Sequence, residues 1–378
     1  MSSGLYLTLL AGPMVPVPVP KPLIDALTSV EIEMSATGRS GFEMTFTIAD
    51  RSILQTFFLL TAESPLPLLR VVIMVTLGGL PQVIMDGIVE HHEVHPDAMR
   101  GSSTLVVKGH DLSALMDLVD FSGLPYPGMP PDIRVLTILS KYAGFGVVPE
   151  VMPAVVPNIE VPVDKIRSQK ETDFKYINQL AQEAGYVFYV NPGPLPGTST
   201  AYWGPQIKFG IPQPSLNVNL DSWTNVENLT FQYQPKNSVL PIVYIQEPTT
   251  KISIPVPIPP VTPLNPPLGL AVPVPQKIEQ MTDTAKEPVP QALMRGMAKA
   301  ADSADVVTGQ GSLDVLRYGQ ILNARSLVGV RGAGLAFDGL HYVDSTKHHI
   351  KPGEYKQDFT LRRNALISNV PMVPAPSF

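Results

Sequence analysis

Proline sets the tightest limit on what this chain can fold into: 41 of its 378 residues are proline, against a usual share of about 5%. Each proline lacks a backbone donor and fixes φ, so it is kept out of helix interiors and central strands. A chain so punctuated must consist of short elements, edges and connecting loops. It is not disordered as a whole. Thirteen Phe, 12 Tyr and a 44% hydrophobic content supply apolar surface for packed cores. At roughly 100–200 residues per domain, the length allows more than one core.

Charged residues make up only 16%, the formal net charge is −6, and no basic block stands out. A nucleic-acid surface needs clustered Lys and Arg to displace counterions from phosphates, so no nucleic-acid binding is expected. Cysteine is absent, which excludes disulfides, zinc–thiolate sites and thiol nucleophiles. The apolar stretch Leu5 to Ala11 is short, and the first basic residue, Lys21, follows it, the reverse of an export signal. The apolar run Leu66 to Leu77 contains Arg70 and is far short of the ~20 residues a membrane helix needs. Both read as strands of a protein made in the cytoplasm, without a signal peptide or membrane insertion.

Up to about residue 109 the hydrophobic period is two. In Phe42 to Ile48 apolar and polar residues alternate strictly, which describes a strand with one buried face. Glu31 to Thr37 alternates as well, with Ile32, Met34 and Ala36 on one side, and Gly38 and Gly41 bracket a hairpin between the two. Strands at Leu68–Leu77 and Gln82–Val94 join at Gly78-Gly79-Leu80-Pro81, and another runs Ser103–Lys108. Short antiparallel strands of this kind predict a small barrel or sandwich.

The period then changes. Asp132 caps an expected helix to Ala143, with Ile133, Leu136, Leu139 and Tyr142 inward and Gly144 as its stop. A clearer helix starts at Thr172 or Asp173, carries Phe174, Ile177, Leu180 and Ala181 on one face, and ends at Gly185. Tyr186–Val190 is a strand, as is the stretch where Leu229, Phe231 and Tyr233 alternate with Thr230 and Gln232. Residues 251–275 hold nine prolines, which predicts a stiff, polyproline-II-like excursion lying on a surface. A short helix at Pro290–Ala301 and strands from Leu313 to Arg363 complete the chain.

Two segments echo each other. Ile84-Met85-Asp86-Gly87-Ile88 leads through a strand and the turn His95-Pro96-Asp97 to Thr104–Lys108. Ala336-Phe337-Asp338-Gly339-Leu340 leads through a strand and the turn Lys351-Pro352-Gly353 to Phe359–Arg362. The span from Asp to the closing basic residue is 22 steps in the first and 24 in the second. Two generic hairpins, or a duplicated barrel, account for the likeness.

The candidates for chemistry are few. His91, His92 and His95 cluster, and His348-His349 lie in the echoing hairpin. On a strand, however, His91 and Glu93 share one face while His92 opposes them, so the convergence a metal needs is lacking. Gly329, Gly332 and Gly334 have the spacing Gly-x-x-Gly-x-Gly before a strand-like segment. That is a turn rather than a dinucleotide loop. A glycosidase needs two carboxylates about 5–9.5 Å apart in a cleft, and the acidic residues here are scattered. No catalytic, cofactor-binding or metal-ligating residue is assigned, no cofactor is expected, and no interface residue is identified.

Lys170-Glu171-Thr172-Asp173-Phe174 with Ile177, Leu180, Ala181, Glu183 and Gly185-Tyr186 forms one signature. Gly332-Ala333-Gly334-Leu335 through Asp338-Gly339, Tyr342-Val343, His349-Ile350, Gly353, Tyr355, Phe359 and Arg362 forms another. Together they resemble the baseplate hubs of contractile tails, meaning the phage late-control gene D proteins and the N-terminal half of type VI VgrG-like spike proteins. The resemblance covers about a fifth of the chain.

It implies a mainly β fold with inserted helices (α+β), two tube-protein-like antiparallel β-barrels per chain, and a homotrimer whose six barrels adapt a sixfold inner tube to a threefold spike. On this reading residues 1–110 form the first barrel and 111–165 a helical connecting region. Residues 166–250 give a helix and strands to the second barrel, 251–304 a Pro-rich insertion and short helix, and 305–363 complete that barrel before the tail 364–378. No fused spike follows Arg363, so a separate spike protein is expected. The other expected partners are the inner tube or tube-initiator protein, with baseplate wedge or tape-measure proteins besides. The alternatives are a tube or tube-initiator protein of the same machine, and a Pro-rich all-β adhesin or carbohydrate binder, which would need exposed aromatic platforms.

Overall fold

Alternation of apolar residues lays down the first sheet. The computed structural model describes residues 5–49, 68–97, 102–153, 168–247, 250, 252–261 and 265–369. The chain begins with β1 (Tyr6–Gly12), β2 (Val17–Pro18), a short helix α1 (Lys21–Asp25), β3 (Leu27–Ser35) and β4 (Gly41–Ala49). Along β4, Phe42, Met44, Phe46 and Ile48 are buried while Glu43, Thr45 and Thr47 face outward, as the period-two reading requires. β5 (Arg70–Leu77), β6 (Leu80–Asp97) and β7 (Ser102–Asp111) follow. These strands pair in the spatial order β2-β1-β5-β6-β7-β4-β3, every pair antiparallel.

A separate module comes next. Asp111 caps a 3-10 turn (Leu112–Asp117), its carboxylate accepting from Ser113 N. α2 (Pro131–Ser140), β8 (Val147–Val151), α3 (Asp173–Ala184), β9 (Val187–Pro192) and β10 (Ser199–Gly204) complete it, with a three-stranded sheet in the order β8-β10-β9. Helix α3 forms as its sequence reads. The Thr172 hydroxyl accepts from Lys175 N at its start, and Gly185, with φ of 71°, closes it. A core of its own joins Ile138, Leu139, Ile177, Leu180, Phe188 and Trp203. The Phe174–Leu180 stripe therefore packs in this module, not on the second large sheet.

Helix α2 differs from its expected form. Pro131 rather than an Asp132 cap starts it, since proline suits the first helical turn. Its buried face is Arg134, Val135, Ile138 and Leu139, leaving Ile133 and Leu136 each 43% exposed. Arg134 is drawn inward by donating to Met129 O at 2.6 Å, which rotates the helix away from the apolar count. The helix ends at Ser140 with Lys141 right-handed as its cap, short of Gly144, and the left-handed Gly146 closes the 3-10 turn that follows.

The C-terminal half runs β11 (Gln213–Asn217), β12 (Asn228–Tyr233), β13 (Val239–Gln246), β14 (Ser253–Pro257), β15 (Gly269–Ala271) and β16 (Lys277–Met281). Then come α4 (Val289–Ser303), β17 (Val307–Asp314), α5 (Val315–Tyr318), β18 (Leu327–Arg331), β19 (Gly339–Lys351), β20 (Glu354–Arg363) and β21 (Leu366–Ser368). The Pro-rich stretch is not a free polyproline arm. β14 pairs with β13, β15 pairs with β21, and Ile258 is buried in a small core beneath α4. Lys251 and residues 262–264 of it lie outside the described residues, as do 50–67, 154–167 and 370–378 of the expected domain spans.

The echo of hairpins extends to a whole sheet. The second half pairs in the order β12-β17-β20-β19-β18-β11, and the first in the order β3-β4-β7-β6-β5-β1. Matched along the chain, β1, β3, β4, β5, β6 and β7 correspond to β11, β12, β17, β18, β19 and β20. One pair differs, since β1 meets β5 antiparallel while β11 meets β18 parallel. The entire segment 234–306 thus occupies the β12–β17 connection, which in the first half is the short hairpin between β3 and β4. The two halves form one sheet through β3 and β19, and their buried residues form one continuous core.

The first Asp-Gly kink fastens this sheet to the central module. Asp86 takes Arg70 in a two-pronged pair, Nε–Oδ1 and Nη2–Oδ2 both 2.7 Å, with neither side chain more than 2% exposed. Ser199 Oγ of β10 donates to the same carboxylate, and Arg70 Nη1 donates to Met14 O. Removing one partner of a buried pair costs about 3–5 kcal/mol, whereas an apolar replacement of both is near neutral. Arg70→Ala should therefore lower thermal stability strongly, and Arg70→Met with Asp86→Leu should recover much of the loss. Thermal unfolding of the two variants checks this.

Candidate functional site

The outward face of the continuous sheet carries a network of paired surface charge. Strand alternation places Glu31 and Glu33 of β3, Glu43 of β4, Lys108 and His110 of β7, Lys347 and His349 of β19, and Asp358 of β20 on this face. Glu31 stands directly opposite Glu43, a repulsive arrangement taken alone. Each is relieved from the far side, Glu31 by Lys347 Nζ at 2.8 Å and Glu43 by Lys108 Nζ at 3.1 Å. His349 extends the array by touching Glu31 at 3.5 Å and Asp358 at 2.9 Å. Two shallow polar depressions flank the β3–β19 seam. One of about 580 Å³ is lined by Glu31, Glu43, Glu90, Lys108 and His110, and one of about 410 Å³ by Thr230, Gln310, Lys347 and Asp358.

The inward side of the same seam is apolar apart from His348 and Thr346. His348 lies opposite Ile32 and is 1% exposed. One ring nitrogen meets Tyr355 OH at 2.7 Å, the other Thr346 Oγ1 at 3.4 Å. Burial pushes its imidazole down to about 3 from an ordinary 6.5. His341, buried at the other end of β19, is also pushed down to about 3 by burial.

The suspected chemical residues fall apart on inspection of their places. His91 and His95 bracket Glu93 at 2.8 and 3.2 Å on an exposed strand, while His92 is on the opposite face. His348 points into the core and His349 outward. Among the described residues no group of three His, Asp or Glu side chains is placed to hold a metal ion. Gly332 and Gly334 form the turn after β18, with φ of 85° and 93°. A Cβ on Gly332 would sit 1.9 Å from Val218 O, so the glycine there serves backbone approach. On this face Glu31 and Glu43 are carboxylates set opposite each other. Lys347 holds the Glu31 carboxyl below its ordinary range, the reverse of the raised acid that glycoside cleavage uses. Of the two tryptophans, Trp203 is fully buried and Trp223 is 61% exposed, so no aromatic platform is built from them.

Sequence reasoning identified the apolar side of these strands and passed over the polar one. The available signal was the complementary half of the same alternation, the charged residues between the apolar ones. Among the described residues no helix is long and apolar enough to cross a membrane.

No family model matches the chain, and no curated protein does. Solved structures do. The tail protein of Neisseria meningitidis MC58 is 14% identical with a TM-score of 0.64, covering 96% of this chain and 97% of that one. The 43 kDa tail protein of prophage MuSo2 from Shewanella oneidensis is 16% identical with a TM-score of 0.61, covering 96% and 100%. A chain of the Francisella PdpA-VgrG complex is 11% identical with a TM-score of 0.61; the match takes in 99% of this chain but 55% of that one. The fold, mainly β with inserted helices, is thus that of phage-tail and VgrG-related proteins, in line with the two sequence signatures.

The seam generates two expectations. Below about pH 6.5 the unfolded chain protonates His348 while the folded chain does not. Stability is then complete above about 6.5 and falls as the pH drops, by about 1.4 kcal/mol per unit for each such histidine. His348→Gln should halve the slope that His348 and His341 produce together, as read from denaturation midpoints between about pH 4.5 and 6.5. For Glu31 the carboxyl is lowered, so its contribution is present above its ordinary 4.5 and is lost as the pH falls through the lowered value. Lys347→Met should move the Glu31 titration up toward 4.5 in an NMR titration. The half-exposed pair limits the stability loss to less than about 1 kcal/mol.

Proposed function

We propose that this chain is the structural hub of a contractile injection system's baseplate. It assembles as a homotrimer and joins a sixfold inner tube to a threefold spike carried on a separate chain. The observation that supports this best is the repeated six-strand order within one chain, with β19 and β3 fusing the two repeats edge to edge. Three copies then present six like sheets around one axis, which meets a sixfold tube, while the differences between the repeats leave threefold symmetry for the spike. Each repeat closes as a tube-like barrel, the first within residues 1–110 and the second from strands on both sides of the 234–306 connection.

The work is mechanical rather than catalytic. The charged face around Glu31, Glu43, Lys108 and Lys347 faces the bore of the ring. Tube or tube-initiator protein docks on one rim and the spike on the other, with wedge and tape-measure proteins as further neighbours. The protein belongs to the assembled particle, phage or phage-like.

The fold likeness to tail proteins supports this reading. Native mass spectrometry is the test, on the 41.0 kDa chain alone and with tube and spike proteins encoded beside it. The expected result is a trimer, or a complex of three hub chains with three spike chains. A strict monomer in every mixture sinks the hub reading.

A further inference from the structure

A cleft opens where three parts of the chain meet, away from the charged seam. It holds about 440 Å³, between the end of α3, the second half of α4 and the β3–β4 hairpin at Thr37 and Gly38. That volume is ordinary for a ligand pocket. Its walls are mainly apolar, built from Ala181, Tyr186, Met281, Met294, Met297 and Ala298. Met297 packs both on the core of the central module and on the small core beneath α4, so the cleft lies at the joint of the two. Methionine is unbranched and adapts to the shape it touches. Four charged residues share this lining: Lys208, Arg295, Lys299 and Asp302.

Three of the four are matched within the chain. Lys208 Nζ donates to Asp305 Oδ2 at 2.8 Å, and both side chains are more than nine-tenths buried. Arg295 pairs with Asp283 and Glu287, and Lys299 pairs with Glu279 at 3.0 Å. Asp302 takes no hydrogen bond among the described residues. Five carboxylates thus stand against three basic groups. Arg362, whose charge also reaches Asp302, is taken up by Asp344 at 2.8 Å. Asp302 lies in the last turn of α4, at the negative end of the helix dipole, where a carboxylate costs stability. It is open to water on one side. Even so, desolvation in the cleft, opposed by Lys208 and reinforced by Asp305, raises its carboxyl above the ordinary carboxylate value. The Oδ1 atom of Asp305 is itself buried with no donor among the described residues.

We infer that this cleft takes a lysine or arginine side chain of another protein, its stem lying on the methionines and its charged head meeting Asp302. The surplus of carboxylates supplies the charge complementarity. The apolar walls suit the stem, which long basic side chains lay along apolar surface while the head stays polar. A bare metal ion fits less well, since among the described residues no three His, Asp or Glu side chains are placed to hold one. The cleft depends on α4, and α4 belongs to the 234–306 connection, which the first repeat replaces by a short hairpin. Its partner is therefore bound once per chain, although the sheet is built twice. The site stands whether or not the chain is a ring subunit.

The chain's 14 methionines make methyl NMR the direct readout. Acetyl-arginine methylamide and acetyl-lysine methylamide are added at millimolar concentration to the full chain labelled at its methionine methyls. Both should shift Met281, Met294 and Met297, while Met44, buried in the first sheet, should not move. Acetyl-norleucine methylamide keeps the stem and lacks the charge, and it should bind at least about tenfold more weakly. Asp302→Asn should erase that difference. The same variant should raise the thermal midpoint, because it removes an unmet negative charge from the helix end. A carboxylate that served the fold instead would lower the midpoint when replaced. Equal binding of charged and uncharged probes, no shift at the three methionines, or a lower midpoint for Asp302→Asn each overturns the assignment.

Discussion

The pairing of β3 with β19 is the contact on which the rest of this architecture depends. Six consecutive residue pairs, from Ser345–Ser35 to Ile350–Val30, turn two separate sheets into one. The seam works on both faces at once. Outside, Lys347 bridges to Glu31 and offsets the repulsion between Glu31 and Glu43. Inside, Ile32, Ile350 and the neutral His348 continue the core. The bulge at Asp344 makes this possible, because β19 must present its apolar residues correctly to β18 first and to β3 afterwards. A one-residue insertion resets that register and sharpens the local twist. Asp344 is itself held, its carbonyl accepting from Ala36 N at 2.6 Å and its carboxylate pairing with Arg362 at 2.8 Å. Glu90, at the matching bulge of β6, pairs with His110 at 2.6 Å.

Much of the fold was legible because strands announce themselves locally. Phe42–Ile48, the glycine turns at Gly38 and Gly78-Gly79, and the capped helix Thr172–Gly185 depend on neighbours a few residues away. The echo of Asp86-Gly87 and Asp338-Gly339 pointed to duplication, yet it exposed only two of the six matched strands. The others share topology without sequence. Ile32 matches Phe231, Glu31 matches Thr230, and β12 is cut off from β17 by the whole segment 234–306. Helix α2 was misjudged because counting apolar residues cannot foresee that Arg134 turns inward to reach Met129 O. The polar seam was illegible for a simpler reason. A charged residue on alternate strand positions looks the same whether it meets water alone or pairs with the next strand.

The signature residues turn out to hold the fold. Asp173 is fully buried, and its carboxylate accepts from Lys141 Nζ at 2.8 Å, Tyr142 OH at 2.8 Å and Gln169 Nε2 at 2.7 Å. It therefore ties α3 to α2 and to the segment before it. In the second signature, Tyr342, Tyr355 and Phe359 are buried along the β19–β20 hairpin, and Gly353 makes its turn with φ of 80°. A resemblance carried by such residues speaks to architecture.

The 234–306 connection follows the same logic of place. In the first repeat the equivalent loop is the hairpin between β3 and β4, which lies against the bulge of β19 through the Ala36–Asp344 hydrogen bond. In the second repeat the connection runs from β12 to β17. Lengthening a surface loop costs little entropy, so a large insertion is tolerated there, but it must fold on something. It does so partly on itself, with β13, β14 and β16 forming a sheet under α4. It also folds partly on the seam-bearing sheet, where Leu268 is buried beside Ala36, Leu327 and Tyr342, and Asn364 receives its backbone N–H at 2.8 Å. The prolines keep the exposed edge of this small sheet short of donors. On its strand β16, Ile278 is 62% exposed, apolar surface that the small core beneath α4 does not cover.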